Sequence, residues 1–187
     1  MPVIELTLIE GYDAATRTRL CERMTDAVRG VIAAPLDGVT VAIHEVKAEN
    51  YMRGRQARKP GSAQADPVEL VRAFLAAMEA RDLDRAKGFL ADDFRMTFPG
   101  RAEFTTLEEL VAWARPRYRS VHKTYERFDV CAGPDGPIVY CFGTLSGEWP
   151  DGSGFSDIRF IDRFSIRDGL FADQMVWNDL AEVSHQR

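Results

Sequence analysis

Two residues in this chain have the type and the placement to move protons. The first is Pro2, in the opening run MPVIELTLIEGYD. Removal of Met1, expected ahead of a small second residue, would make Pro2 a free secondary amine, able to act as a base or a nucleophile. A free α-amino group titrates at about 8, and burial or a nearby cation disfavours its charged form. Only a downward shift of that kind would leave the amine unprotonated near neutrality, where a general base works best. A plainer reading stays open, because proline suits the first residue of a strand, where the N–H is often unpaired. The second is Asp162. In FSDIRFIDRFSI, Ile158, Phe160, Asp162, Phe164 and Ile166 alternate toward one side. A carboxylate among apolar neighbours suits acid–base work. Its alternative is a pairing with an arginine such as Arg95 or Arg163. His122, Asp157, Trp177 and Asp179 are further candidates for a pocket or its rim, with Trp177 reading equally as packing and Asp179 as an exposed strand end.

The elements that must position these residues fall into two unlike parts. Residues 53–65 belong to the run RGRQARKPGSAQAD, which has no apolar residue larger than alanine and the composition of a linker. It separates a small domain over 1–52 from a larger one over 66–187. In the small domain Ile4, Leu6 and Leu8 share one strand face, and the numbering puts Pro2 on that side. Gly11 breaks the strand, Asp13 can cap a helix, and Leu20, Met24, Ala27, Val28, Val31 and Ile32 recur at helical spacing. After APLDG, VTVAIHEV reads as a second strand. Strand, helix, strand is a βαβ unit with parallel strands and a right-handed crossover. A unit this small cannot bury its own apolar surface, which calls for neighbours, most simply further copies of the chain.

The larger domain begins at Asp66, a helix cap followed by Pro67 in the first turn and by Glu69 in a capping-box-like pattern. Val68, Val71, Phe74, Leu75 and Met78 form its stripe. A short helix lies around DRAKGFLA, ADDFRMTFPG reads as extended, and Thr106 with Glu109 frames a second capping box. Thereafter VHKTYERFDVCAG, IVYCFGTLSGEW, FSDIRFIDRFSI and LFADQMVWND read as strands, joined by PDGP, PDGSG and RDG turns. Helices first and an antiparallel meander after define an α+β domain whose sheet curls over its helices.

Composition narrows the functions. The 187 residues are 45% hydrophobic and 28% charged, as in a globular protein with a real core. Net charge is −5 and no basic run has the length of a nucleic-acid footprint. No apolar stretch of about 18 residues suggests a membrane span, and the start lacks the features of a signal peptide. A cytoplasmic location is expected, with Cys21, Cys131 and Cys141 as free thiols. Their spacing suits no metal, and the reading calls for no cofactor.

The first 55 residues resemble the 4-oxalocrotonate tautomerases. The likeness rests on PVIELTLIEG, the amphipathic helix, APLDGVTV and HEVKAENY. The resemblance implies that Pro2 is a catalytic base moving a proton between carbon atoms of an enol or dienol, in oligomers of several βαβ units. Tyr51 matches the aromatic residue expected after strand two, so the expected catalytic pair is Pro2 and Tyr51, with the Pro2 nitrogen in a partly apolar cavity near Tyr51. Tyr12 and Thr40 stand where the family's dicarboxylate enzymes typically carry arginine, so the bidentate grips on a dicarboxylate are lost. Arg53 or Arg55 could hold a single carboxylate instead, although both also read as solvated linker charges. Asp37 reads as a turn residue and His44 as a surface strand residue.

Residues 66–182 are similar to the SnoaL-like polyketide cyclases and their ketosteroid-isomerase-like relatives. The likeness rests on DPVELVRAFLAAMEARDLDRAKGFLADDF and SDIRFIDRFSIRDGLFADQMVWND. It implies a cone-shaped α+β domain with an open pocket, a fold that hosts enzymes, binders and assembly modules alike. In TFPG, Phe98 stands where ketosteroid isomerases carry their catalytic aspartate, which argues against that chemistry. The expectation is a tautomerase or isomerase of a small enol or keto acid, working through Pro2 with the cone domain as pocket or assembly module. Two other readings are acid–base chemistry in the cone pocket by Asp162 or His122, and a ligand-binding protein without catalysis. The partners expected are a small carbonyl or enol compound and further copies of the chain, with neither nucleic acid nor membrane.

Overall fold

The computed structural model describes residues 1–184. The chain divides into two compact units, Met1–Gln64 and a second from Ala65 onward.

In the first unit Val3–Ile9 (β1) and Thr40–Val46 (β2) pair in parallel, from Val3 opposite Thr40 to Ile9 opposite Val46. Ala14–Arg29 (α1) makes the crossover. The helix starts where the Asp13 carboxylate accepts the Thr16 N–H at 2.7 Å, satisfying one of its orphan donors. It stops at Gly30, so Val31 and Ile32 fall outside the expected stripe and are 87% and 50% exposed. β1 alternates as its pattern requires, with Ile4, Leu6 and Leu8 half-buried and Val3, Glu5 and Thr7 exposed. Among the described apolar side chains of this unit only Ile9 is buried, and α1 buries none.

The stretch with linker composition carries a hairpin of Met52–Arg53 (β3) and Gln56–Ala57 (β4). Gly54 and Arg55 make its turn at φ 57° and 64°. The chain then returns to the far end of β1. Gly11, at φ 137°, leaves room for the Pro60 ring, which a Cβ there would meet at 3.0 Å. Arg19 donates to the Gln64 carbonyl at 2.5 Å, so residues up to 64 cluster with the first unit.

The second unit opens with Pro67–Glu79 (α2) and Leu83–Lys87 (α3). Leu90–Phe98 (β5), Ala102–Phe104 (β6) and Leu107–Ala114 (α4) follow. Then come Ser120–Ala132 (β7), Pro137–Glu148 (β8), Gly154–Arg167 (β9), Leu170–Asn178 (β10) and Leu180–Ser184 (α5). The six strands order as β6-β5-β10-β9-β8-β7. All neighbours are antiparallel except β5 and β10, which run parallel. The short β6 leaves no mark in the sequence pattern, because three residues carry no period.

Asp66 caps α2 by accepting the Val68 N–H at 2.9 Å, while Glu69 turns to Arg72 at 3.7 Å instead of closing a box. The box does close at α4: Thr106 accepts the Glu109 N–H at 3.2 Å and Glu109 accepts the Thr106 N–H at 3.1 Å. Bulges in β7, β8 and β10 bend the sheet. At Gly143 the backbone of β7 comes so close that a Cβ would fall onto the Thr124 carbonyl. The concave face packs on α2 through Phe74, Phe164 and Phe171, whose ring centroids lie 5.9, 5.2 and 5.1 Å apart. Among the described residues no helix is long and apolar enough to cross a membrane.

Candidate functional sites

Pro2 is half-buried on the Ile4, Leu6 and Leu8 side of β1, and its carbonyl accepts the Thr40 N–H at 3.1 Å. Met1 before it is 90% exposed. Tyr51 lies at the other end of the ladder. β2 finishes at Val46, one 3-10 turn over Ala48–Asn50 follows, and the Tyr51 carbonyl then accepts the Arg58 N–H at 3.1 Å. Two parallel strands of seven residues in register put roughly 20 Å between those ends. Tyr12 sits at the Tyr51 end, its hydroxyl 3.7 Å from where a Gly61 Cβ would be and its carbonyl accepting from Arg17 at 2.6 Å. Arg53 and Arg55 are exposed on the hairpin beside Tyr51.

One chain therefore gathers Tyr12, Tyr51 and the two arginines at one end of the sheet and leaves Pro2 at the other. The expectation that the Pro2 nitrogen lies near Tyr51 is not met within a single chain. The cause is topological: a parallel crossover returns the chain to the starting edge, so a residue before strand one and a residue after strand two stay a strand length apart. His44 is exposed, as its strand position implies.

In the second unit the alternation of β9 turns Asp162 inward, and it is fully buried. Its partner is Lys123 of β7, not an arginine. Arg163 faces the opposite side of the sheet and donates to Asp173 at 2.5 Å, while Arg95 is exposed. Gln174 Nε2 reaches Asp162 Oδ2 at 3.5 Å, and no protein group bonds Oδ1. The Lys123 side chain is 22% exposed, with Nζ 4.5 Å from the Phe160 ring centroid. Cys141 faces Asp162 across the β8–β9 ladder. Burial first, and then the Asp162 charge, push its thiol up to about 12. Burial also pushes the Tyr118 and Tyr125 phenols up, so both keep their protons.

The other candidates lie elsewhere. His122 is exposed, with Nδ1 2.9 Å from Glu79. Asp157 is exposed at φ 58° and accepts from the Ser156 hydroxyl at 3.0 Å. Trp177 is 48% exposed and lines an outer cleft with Phe142 and Ile161. Asp179 accepts from Arg159 at 2.7 Å. Asp157 and Trp177 stand next to the inward residues Ile158 and Val176, so the strand period turns them outward. Phe98 is an apolar wall of the inner cavity. The sequence does carry a signal for Lys123. In VHKTY it alternates with Val121 and Tyr125, and it is one of only four lysines among 24 basic residues. Among the described residues no group of three or more His, Cys, Asp or Glu side chains is placed to hold a metal ion.

Residues 71–174 match the SnoaL-like domain family, and the chain belongs to that family. Residues 2–56 match the tautomerase enzyme family, so domains of two families follow one another in one chain. Among solved structures the chain is similar to TerC, crystallised with polyporic acid, at 17% identity over 63% of this chain and 95% of TerC, with a TM-score of 0.55. It is also similar to an NTF2-like protein of unknown function from Burkholderia pseudomallei (18% identity, 63% and 94% covered, TM-score 0.54). An NTF2-like protein from Burkholderia thailandensis follows at 16% identity, 65% and 97% covered, with a TM-score of 0.53. At such identities the likeness speaks for the cone fold. No curated protein matches the chain. The tautomerase and SnoaL-like matches together support an isomerase-type function.

Proposed function

We propose that the first unit is a tautomerase of small enol or keto acids, with the Pro2 ring nitrogen as general base once Met1 is removed. The observation that carries this reading is the match of residues 2–56 to the tautomerase family, beginning on Pro2 itself. The amine takes the enol O–H proton and returns a proton to the neighbouring carbon. A C=O bond forms as the C=C bond is lost, and no net proton is consumed. Half-burial on the Ile4 side gives the Pro2 ring a partly apolar setting. Because Tyr51, Tyr12, Arg53 and Arg55 lie a strand length from Pro2, a second copy supplies them to each site. Arg53 or Arg55 then holds the substrate's one carboxylate, and Tyr12 narrows the pocket. Apolar residues left exposed on this unit, such as Val31 and Leu36, support such an assembly. The second unit serves as an additional pocket.

The test uses protein whose free Pro2 is verified by intact-mass spectrometry, with phenylenolpyruvate as substrate. Ketonisation is expected well above the buffer rate, falling as pH drops below neutrality and the amine protonates. Pro2→Ala is expected to lose at least a hundredfold in kcat/KM with unchanged folding. Equal activity in Pro2→Ala would overturn the catalytic proline, and no acceleration by verified wild type would overturn the tautomerase reading.

A further inference from the structure

Lys123 stands between two cavities on the concave face of the second unit. The larger, about 130 Å³, has Phe74, Met78, Phe98, Tyr118 and Tyr125 in its wall. The smaller, about 60 Å³, is bounded by Trp113, Leu145 and Val176. Lys123 lines both, but Asp162 lines only the smaller one. The ion pair is thus an oriented dipole whose positive end meets the larger cavity. An ammonium has three N–H donors and no acceptor, and Asp162 is the hydrogen-bond partner the structure gives it. Two other charges border the larger cavity, Glu79 and Arg81. Glu79 is half-exposed and turned to His122 at 2.9 Å, and Arg81 is exposed, which leaves Lys123 as the inner charge.

Size and wall chemistry define what fits. A cavity of about 150 Å³ lined by apolar groups accepts benzene, so the larger cavity is the size of one six-membered ring. Its wall is mostly aromatic and aliphatic, which favours an apolar body. We propose that this cavity binds a monocyclic ring compound carrying one anionic oxygen, with the ring against Phe74, Phe98 and Tyr125 and the oxygen on Lys123 Nζ. Asp162 is then a positioning residue: it fixes the ammonium from behind and does not touch the ligand. Tyr118 and Tyr125 line the same cavity, and burial raises both phenols, so each keeps a hydrogen it can donate there. The site goes beyond the tautomerase reading and does not depend on Pro2.

The experiment titrates full-length protein with benzoate and with its neutral isostere benzamide by calorimetry, alongside NMR of the backbone amides. Saturable benzoate binding is expected, at least tenfold tighter than benzamide, with amide shifts concentrated on β7 around Lys123 and Tyr125. Lys123→Met should abolish the preference for benzoate. Asp162→Asn should keep benzoate binding or tighten it several-fold, because it removes a negative charge behind the receptor. A merely structural ion pair would respond alike to both changes. Where either single variant fails to fold, Lys123→Met/Asp162→Leu replaces both charges by apolar groups and should fold without preferring benzoate. Pro2→Ala should bind benzoate as wild type does. Equal affinity for the two probes, shifts away from β7, or a benzoate preference surviving loss of Lys123 would each overturn the site, as would no saturable benzoate binding.

Discussion

The two units put their apolar residues to opposite uses. The second unit holds nearly every buried apolar side chain described, from Val71 to Val176, while the first contributes Ile9 alone. Exposure runs the other way: Met1, Val3, Val31, Ile32, Leu36 and Met52 of the first unit are large apolar groups left in water. One unit closes a core with its own helices and a six-stranded sheet. The other is a two-stranded sheet with one helix, too small to do so. A self-sufficient core and an unfinished one predict different responses to perturbation.

The largest response is expected from the aromatic core. Phe164 is fully buried and touches Phe74 and Phe171, so Phe164→Ala should cost about 3–5 kcal/mol. Chemical denaturation read at the buried Trp149 measures it, independently of protein concentration. A concentration-dependent midpoint at Trp149 would break the comparison. For the first unit concentration should decide instead. If copies complete its core, hundredfold dilution lowers its stability by about 2.7 kcal/mol, and sedimentation should detect at least a dimer at micromolar concentration. Leu36→Asp, at an exposed position in the single chain, should shift that equilibrium toward monomer. A stable monomeric first unit would remove the contrast between the halves.

A smaller effect belongs to the α4 capping box. Thr106→Ala should cost about 1 kcal/mol, measured by thermal unfolding. Acid should act on the same box. The backbone N–H groups of Thr105 and Thr106 hold the Glu109 carboxyl below its ordinary value. A depressed carboxylate gives stability above its unfolded pKa and loses it as pH falls through the folded one. Glu109→Gln should therefore flatten the acid limb of the stability profile. Alkali reports on Cys141. Its thiol keeps its proton in the fold up to about 12, against an ordinary 9.0, so stability should decline between those values as the unfolded chain ionises first. Cys141→Val should lessen that decline.

Periodicity made much of this legible. The alternation of Ile158 to Ile166 places Asp162 inside, and the capping box at Thr106 and the strand-helix-strand order of the first unit follow from local chemistry. What local chemistry does not encode is which distant side chains meet. Lys123 and Asp162 are 39 residues apart and face each other across the sheet, so an arginine next in sequence was the natural but mistaken partner. The separation of Pro2 from Tyr51 was, by contrast, implicit in the parallel strand order, which keeps a residue before strand one and a residue after strand two a strand length apart. Helix ends were blurred for another reason. Gly30 stops α1 while the apolar spacing runs on to Ile32, since a stripe records hydrophobicity and not hydrogen bonding.

The strand length between Pro2 and Tyr51 also sets a genetic arithmetic. If each site draws its base from one chain and its aromatic residue from another, damage to either residue is complementable. A chain with Pro2→Ala and a chain with Tyr51→Ala would each be impaired alone, yet a mixed pair would restore one intact site and leave one site doubly damaged. Random pairing of equal amounts would return about a quarter of wild-type activity in a two-fold dimer. An isolated chain carrying every required residue would return none, because it could not bring its own two ends together.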